Sequence, residues 1–254
     1  MRRAYAGILA VLLGALSARA TAEAPTPVGE PGETDCATEV ARVVGGARAA
    51  TAATDLPARG RAIGGLGADA CRAILRSNGV GFDELSAADA PGVAQPIRLR
   101  TPIGGVRVES RGGDPSHEIV DCRLAVALLA WMPELRAAGI SAALHYSTYR
   151  EGARVRGRER VSGHARGLAI DLAVLEGDGA PLDVLDGWSS RERGRPPCYG
   201  EFEEPERSAT LRRLVCRAVE ADLFQVVLTP HYDDAHANHV HLEVVPQVTW
   251  SYVR

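Results

Sequence analysis

The sequence predicts an α+β domain in which helices cover a small, mostly antiparallel β-sheet, and three observations predict it. Apolar residues recur at helical spacing in the segment 119–129. Several short runs are apolar or alternate polar with apolar residues, and Gly, Pro or Asn residues bound them, as is typical of strands. The order of these segments, in a chain that contains no internal repeat, is typical of the α+β class.

Three segments are predicted to be helical. Two of them carry apolar residues at helical spacing, namely Cys71, Ile74 and Leu75 in the first and Ile119, Cys122, Val126 and Leu129 in the second. Asp69 is expected to cap the first helix, and Pro133 to kink or divide the second. A third helix is predicted at about 205–221, and a further short one at 39–44. Strands are predicted at 97–99, 106–109, 140–148, 168–174, 224–228 and 239–245.

Residues 1–22 are predicted to be a secretory signal peptide. Arg2 and Arg3 precede an apolar stretch, and small residues near Ala20 supply a cleavage site. The apolar stretch is too short for a membrane span, which needs roughly 20 residues. Residues 23–68 are predicted to be a flexible leader with a poorly defined N-terminal segment, and 69–254 the folded domain. The protein is therefore expected to be periplasmic or secreted, with no membrane span after signal removal.

The charge of the chain argues against one class of partner. The formal net charge is -3, and all basic residues are Arg. Removal of the signal would also remove three of these arginines and make the mature chain more acidic. A mildly acidic protein has no electrostatic reason to bind nucleic acid, so no nucleic-acid partner is expected.

Five cysteines in a chain with an export signal indicate disulfide bonds. None of them forms a CxxC pair, which argues against a structural zinc knuckle or a thioredoxin-like site. The sequence alone does not fix which cysteines pair, and an odd number leaves at least one thiol over.

Two histidines near the C-terminus form an H-x-H pair. His239 and His241 alternate with Val240, Leu242 and Val244, so a strand would present both imidazoles on one face and the valines and leucine to the core. One imidazole can then bind a metal ion while the other reaches a metal-bound water. Such a pair is common on surfaces and is weak evidence by itself.

A second cluster strengthens the metal interpretation. Residues 162–171 have the pattern S-x-H-x-x-G-x-A-x-D, which places His164 on a loop and Asp171 on the strand that follows. Gly167 permits the turn between them, and the small Ala169 shares the strand face of Asp171. Two imidazoles and a carboxylate are typical zinc ligands, so His164, Asp171 and His241 are predicted to bind one zinc ion per chain. The alternative is a histidine in a glycine-rich loop and an aspartate that caps a turn.

This pattern resembles the signature of the D-alanyl-D-alanine carboxypeptidase and dipeptidase group. The wider superfamily includes murein endopeptidases and the hedgehog signalling domain. The segment 147–150 is similar to that group's S-G-Y-R, with Thr148 at the usual glycine. More closely, residues 71–243 resemble the bacterial extensin-like C-terminal family, through the segments CRAILRSNGVGF, 122–131, 162–171 and HANHVHLE. The resemblance implies a hedgehog/D-Ala-D-Ala-peptidase-like zinc scaffold.

The resemblance also implies roles for further residues. His239 and His236 would face the water at the zinc ion. Arg150 would stabilise the developing oxyanion or bind a substrate carboxylate, and Ser162 would contact the substrate or support the ligands. Family members commonly carry a cysteine in place of Tyr149, one plausible partner for Cys122. The absence of that cysteine here makes Cys122 the candidate for the unpaired thiol, and the expected pairs are then Cys36–Cys71 and Cys198–Cys216.

One departure from the peptidase pattern leaves two functions open. Carboxypeptidase-type members carry a glutamate as general base at the position of Asn238, which cannot accept a proton. The base would then be His239, His236, Asp233 or Asp234. We therefore expect an exported zinc-dependent peptidase that cleaves stem peptides of peptidoglycan, with a non-catalytic zinc-containing wall-binding or partner-binding domain as the alternative.

The remaining histidines and tryptophans are expected mainly to pack. His117 and His145 are interpreted as packing or surface groups, whereas His231 could equally line the cleft. Trp188 lies in the long polar segment 175–204, where packing and stacking on a sugar are both open.

Overall fold

The computed structural model describes residues 60–189, 193, 195–200 and 203–254. The predicted signal peptide, most of the predicted leader, the predicted helix at 39–44 and Cys36 lie outside these residues. The α-helices of the described part are α1 Gly60–Gly64, α2 Ala68–Ser77, α3 Cys122–Ala137, α4 Val184–Gly187 and α5 Glu206–Glu220. Its strands are β1 Phe82–Glu84, β2 Pro96–Leu99, β3 Arg107–Ser110, β4 Ile119–Asp121, β5 Ile140–His145, β6 Ala169–Gly177, β7 Leu182–Asp183, β8 Val226–Leu228, β9 Val240–Glu243 and β10 Tyr252–Val253.

These strands form two sheets. The smaller one is antiparallel, in the order β1-β2-β4. The larger one has the order β10-β8-β9-β6-β5-β3, and β7 pairs with β6. Only the β3–β5 and β8–β10 pairs of the larger sheet are parallel. The predicted mixture of helices with mostly antiparallel strands is confirmed, but the sequence did not predict a second sheet.

One apolar core joins the helices to one face of the larger sheet. Ile170 and Leu172 of β6 and Leu242 of β9 belong to the same buried cluster as the apolar residues of α3 and α5. The Trp131 indole of α3 is buried there, and its Nε1 donates a hydrogen bond to the Leu214 carbonyl of α5 at 3.1 Å. Because neighbouring residues of a strand point to opposite faces, Asp171 and His241 lie on the face away from this core.

Helix α3 begins later than the sequence predicts. Ile119 belongs to strand β4, which pairs with β2, so the helical interpretation of this residue is wrong. Asp121 caps the helix by accepting a hydrogen bond from the Arg123 backbone N–H, and the two side chains form a buried ion pair. Pro133 lies inside the helix without ending it. A short apolar run before a cap fits a strand as well as a helical turn, and pairing with β2 decides between them.

The start of helix α2 differs from the sequence prediction. It follows Gly67, which provides no side-chain cap, and Asp69 lies inside the first turn, so the predicted Asp69 cap is wrong. The helix ends at Ser77, and Gly79 follows with a φ of 70°. Ile63 of α1 is buried in the same core, so packing begins before the expected domain start at residue 69.

Two disulfide bonds are present among the described residues. Cys198–Cys216 is the pair expected from the sequence. Cys71 pairs with Cys122, so both the Cys36–Cys71 pairing and the free thiol at Cys122 were wrong. The reason is the packing of α2 against the start of α3, which brings the two Cα atoms to 6.1 Å, within the range of a disulfide. Within the described part of the chain, no helix has the length and apolar character needed to cross a membrane.

Candidate metal centre

The pairing of β6 with β9 creates the first half of the site. Asp171 lies directly opposite His241 in this antiparallel pair, and Leu172 lies opposite Val240. The predicted alternation in β9 is confirmed, because Val240 and Leu242 are fully buried in the core while His241 is on the other face. The register of two strands therefore places a carboxylate beside an imidazole, although 70 residues separate them in the sequence.

A short turn positions His164 against this pair. Residues Gly163–Arg166 form one turn of 3₁₀ helix, and the Ser162 hydroxyl accepts a hydrogen bond from the His164 backbone N–H. Gly167 ends the turn with a φ of 63°, and a Cβ there would lie 2.7 Å from the Asp121 backbone nitrogen. Only glycine fits this conformation and this close approach. The chain then enters β6 at Ala169.

The three predicted ligands form a compact, buried triangle. Nε2 of His164 lies 3.0 Å from Asp171 Oδ1 and 3.2 Å from Nδ1 of His241, and that Nδ1 lies 3.0 Å from the same Oδ1. All three residues are buried. The arrangement could hold a metal ion.

Each imidazole is held by its outer nitrogen. His164 Nδ1 donates to the Thr148 carbonyl at 2.7 Å, which leaves the lone pair of Nε2 directed at the triangle. His241 Nε2 lies 3.2 Å from Glu243 Oε2, and a donated proton there leaves Nδ1 for the triangle. The Ser147 hydroxyl donates to Asp171 Oδ2 at 2.9 Å, so Oδ1 remains for the imidazoles. Such outer partners orient metal ligands and fix their tautomers.

The electrostatics of the triangle favour a cation. Burial raises the pKa of Asp171, but hydrogen bonds from His164 and His241 outweigh it, and the pKa lies well below its usual range. Burial lowers the pKa of His241, but its contacts with Asp171 and Glu243 outweigh that effect and raise it to about 9. Both shifts stabilise a positive charge beside the Asp171 carboxylate, so the triangle suits a cation.

His239 lies at the edge of the triangle. Its Nε2 is 3.4 Å from Asp171 Oδ1, and its Nδ1 donates to the Asn238 side-chain oxygen at 2.8 Å. Asn238 cannot act as a general base, but its side-chain oxygen can fix the His239 tautomer in which Nε2 carries no proton. Burial is the main cause that lowers the pKa of His239, to about 4. The Tyr146 ring packs edge-on against His239, with the centroids 6.2 Å apart.

His236 lies one step further out. Its ring centroid is 5.0 Å from that of His239 and 6.1 Å from that of His241. Its Nδ1 is hydrogen-bonded to Asp233. Asp234, in contrast, is exposed and paired with Arg193. Of the two aspartates predicted as candidate general bases, Asp233 therefore holds His236, whereas Asp234 pairs with Arg193.

The Arg150 guanidinium reaches the triangle from solvent. It lies 3.9 Å from Asp171 Oδ2, and about half of its side chain is exposed. The Arg150 backbone N–H donates to the His164 carbonyl at 3.1 Å, so the ligand turn and the arginine are coupled. Ser162 is buried, and its hydroxyl contacts the backbone of the turn. This geometry favours support of the ligands over contact with a substrate.

A comparison with protein families adds to this geometry. The model of the family described as extensin-like protein C-terminus matches residues 69–254. The chain belongs to this family. No significant match to a curated protein or to a solved structure was found for the extensin-like domain. Its two disulfide bonds suggest an extracellular or otherwise oxidising compartment.

Other candidates of the extensin-like domain are not members of the triangle. The His231 Nε2 donates to the Ser189 carbonyl at 2.8 Å, and its ring lies beside the buried Trp188. Both residues therefore pack. His117 and His145 also lie beside each other, with ring centroids 6.5 Å apart.

Sequence reasoning missed the partners that hold the imidazoles. Glu243 follows His241 by two residues, so strand alternation places both on one face and could have indicated the contact. Gly163 leaves the space for this carboxylate, because a Cβ there would lie 2.5 Å from the Glu243 carboxyl carbon. Ala169 lies opposite Glu243 in the β6–β9 pair, so its small side chain borders Glu243. No sequence signal indicated the Thr148 carbonyl.

Proposed function

We propose that the extensin-like domain is an exported zinc-dependent peptidase that hydrolyses peptide bonds in the stem peptides of bacterial peptidoglycan. The observation that carries this proposal is the buried triangle of His164, Asp171 and His241 with the His239 Nε2 beside it. The sequence resemblance to peptidoglycan peptidases and the disulfide bonds, which suit an oxidising compartment, support it.

The spacing of the donor atoms supports zinc. Ligand atoms about 2.0–2.2 Å from a tetrahedral zinc ion lie about 3.3–3.5 Å from one another. The observed separations of 3.0–3.2 Å need only a small expansion to reach this spacing. Two imidazoles and a carboxylate leave the fourth position open, as in catalytic zinc sites. A zinc ion held there would act as a Lewis acid on the attacking water and on the peptide carbonyl.

His239 is the group best placed to move protons. The hydrogen bond to Asn238 leaves its Nε2 lone pair facing the triangle. In the proposed reaction, this Nε2 accepts a proton as the water oxygen bonds to the carbonyl carbon. It then donates that proton to the nitrogen of the leaving amine as the C–N bond breaks. Asn238 thus supports a histidine base at a position where related peptidases use a glutamate.

Arg150 contributes positive charge where negative charge develops. Its guanidinium lies beside Asp171 and is half exposed, so a substrate carbonyl entering from solvent would meet it. In the proposed reaction it stabilises the oxyanion that forms when water adds to the carbonyl. The cation is already in place before the substrate binds, since its backbone is hydrogen-bonded to His164.

Two measurements test the proposal. The first is the zinc content of the purified mature protein, for which we expect about one ion per chain in the wild type and none in His164→Ala. The second is the release of peptides from purified sacculi, which His239→Ala should reduce at least about 100-fold with zinc retained. His117→Ala is the matched control, because it removes a histidine outside the triangle.

The non-catalytic alternative makes a different prediction for the same samples. Asn238, at the position of the usual glutamate base, is the observation that favours it. Wild-type protein that holds zinc and binds sacculi, but releases no peptide from them, would support a zinc-containing wall-binding domain. Wild-type protein that binds no metal after zinc reconstitution would contradict both functions.

A further inference from the structure

A loop rich in arginine begins and ends beside the turn Gly163–Arg166, which carries His164. This arginine loop comprises residues 150–161. Its first residue, Arg150, is hydrogen-bonded through its backbone to His164, and its last residue, Val161, precedes the Ser162 that caps the turn. Arg154 and Val161 form an antiparallel bridge, so the loop folds back on itself as a hairpin. Its position relative to the metal centre is therefore fixed at both ends.

The arginine loop concentrates positive charge on an acidic protein. It contains five arginines and two glutamates, whereas the whole chain has a formal net charge of -3. Arg154 forms an ion pair with Glu159. Arg156, Arg158 and Arg160 are exposed, and no ion pair links them to the described residues. Three guanidinium groups are thus available to an external anion.

The first residue of the arginine loop and His239 border the same carboxylate. The Arg150 guanidinium lies 3.9 Å from Asp171 Oδ2, and His239 Nε2 lies 3.4 Å from Asp171 Oδ1. A chain bound along the loop would therefore pass close to the proposed proton-transfer group.

We propose that the arginine loop binds the carboxylates of an acidic peptide, so that a neighbouring peptide bond lies at the metal centre. The inference rests on the proposed function and specifies its substrate as a carboxylate-bearing peptide. Guanidinium groups bind carboxylates through two parallel hydrogen bonds, which orients the ligand as well as attracting it. Because the three arginines are exposed, salt screens their attraction, and binding should weaken as ionic strength rises.

The test compares two triple variants of the mature protein. In the first, Arg156, Arg158 and Arg160 are replaced by Gln. In the control, the exposed Arg136, Arg213 and Arg217, which lie on helices α3 and α5, are replaced by Gln, so the change in charge is the same. Binding to purified sacculi is measured by co-sedimentation at low and at high salt. We expect the loop variant to bind roughly tenfold more weakly than the control at low salt and equally at high salt.

Chemically modified sacculi identify the anion. Sacculi whose carboxylates have been amidated should bind the wild type as weakly as untreated sacculi bind the loop variant. Sacculi stripped of phosphate-bearing polymers should bind the wild type as well as before. Equal binding by the loop and control variants, or a loss of binding on removal of phosphate alone, would overturn the inference.

Failure of this inference can be separated from failure of the proposed function. Wild-type protein that holds zinc and digests sacculi, together with a loop variant of unchanged KM, would overturn the role of the loop alone. Wild-type protein that neither binds nor digests sacculi would overturn both. We expect the loop variant to retain its zinc and its kcat while its KM rises roughly tenfold, because its substitutions do not touch the triangle.

Discussion

The orientation of each imidazole in this site depends on one atom outside the triangle. The Thr148 carbonyl holds His164, Glu243 holds His241, and the Asn238 amide oxygen holds His239. Each partner occupies one ring nitrogen and leaves the other for a metal ion or a proton. The orientation of the imidazoles therefore depends on neutral and acidic groups that are not part of the triangle.

The contact with Glu243 can be tested by metal affinity. Glu243→Ala should weaken zinc binding about 10–100-fold, because His241 would lose the group that orients its Nδ1. The measurement is a competition titration against a chromophoric chelator. Glu134→Ala, which removes an exposed glutamate of α3, should leave the affinity unchanged. An affinity that is the same in both variants would contradict this role for Glu243.

The contact with Asn238 can be tested by kinetics. Asn238→Ala should lower kcat on sacculi at least about tenfold while zinc content stays the same, because the His239 ring would lose its fixed tautomer. Asn238→Asp retains an oxygen that accepts from Nδ1 and should recover most of kcat. A change in KM alone, or the same loss in both variants, would argue against a positioning role.

At the scale of elements, the Cys71–Cys122 bond ties α2 to the start of α3. It closes a segment of 51 residues, and Cys198–Cys216 closes one of 18. A longer closed segment restricts the unfolded chain more, so replacing both Cys71 and Cys122 by Ala should lower the free energy of unfolding by about 2–4 kcal/mol. Urea unfolding followed by Trp fluorescence measures this loss. The corresponding Cys198/Cys216 variant should lose about 1 kcal/mol less, and the reverse order would contradict the prediction.

The same elements show how far sequence reasoning reached. The choice of His164, Asp171 and His241 as a cluster and the alternation of β9 followed from local patterns, since a strand of period two and a glycine turn leave signals within ten residues. The start of α3 could not be predicted from a local pattern, because only the pairing with β2 distinguishes a strand at Ile119 from a helical turn there. The partner of Cys71 also depended on the packing of two helices that are distant in sequence.

At the scale of the whole molecule, a buried histidine links folding to pH. His145 is 2 % exposed, and its Nδ1 has no hydrogen-bond partner among the described residues. Burial, reinforced by the nearby His117, lowers its pKa from 6.5 to about 4. Asp171 acts in the opposite direction, and His164 adds slightly to the lowering. The folded protein therefore holds His145 neutral at a pH where the unfolded chain would protonate it.

The sign of the pH effect follows from that difference. Between pH 6.5 and about 4 the unfolded state binds more protons, so stability should fall as the pH drops through this window. The loss from His145 should reach roughly 2–3 kcal/mol near pH 4. His145→Phe should lose less stability than the wild type between pH 7 and 4 in urea unfolding. An identical pH dependence in both proteins would contradict this source of acid sensitivity.

The missing side chain at Gly163 has an evolutionary consequence. The Glu243 carboxylate, which contacts His241 Nε2, occupies the space that a Cβ at position 163 would need. Substitutions at the two positions are therefore coupled. A residue larger than glycine at position 163 would displace the Glu243 carboxylate, and a residue shorter than glutamate at position 243 would leave a gap beside Gly163. Across relatives of this chain, the two positions should change together, and lineages that lost the glutamate should be those in which the glycine is free to vary.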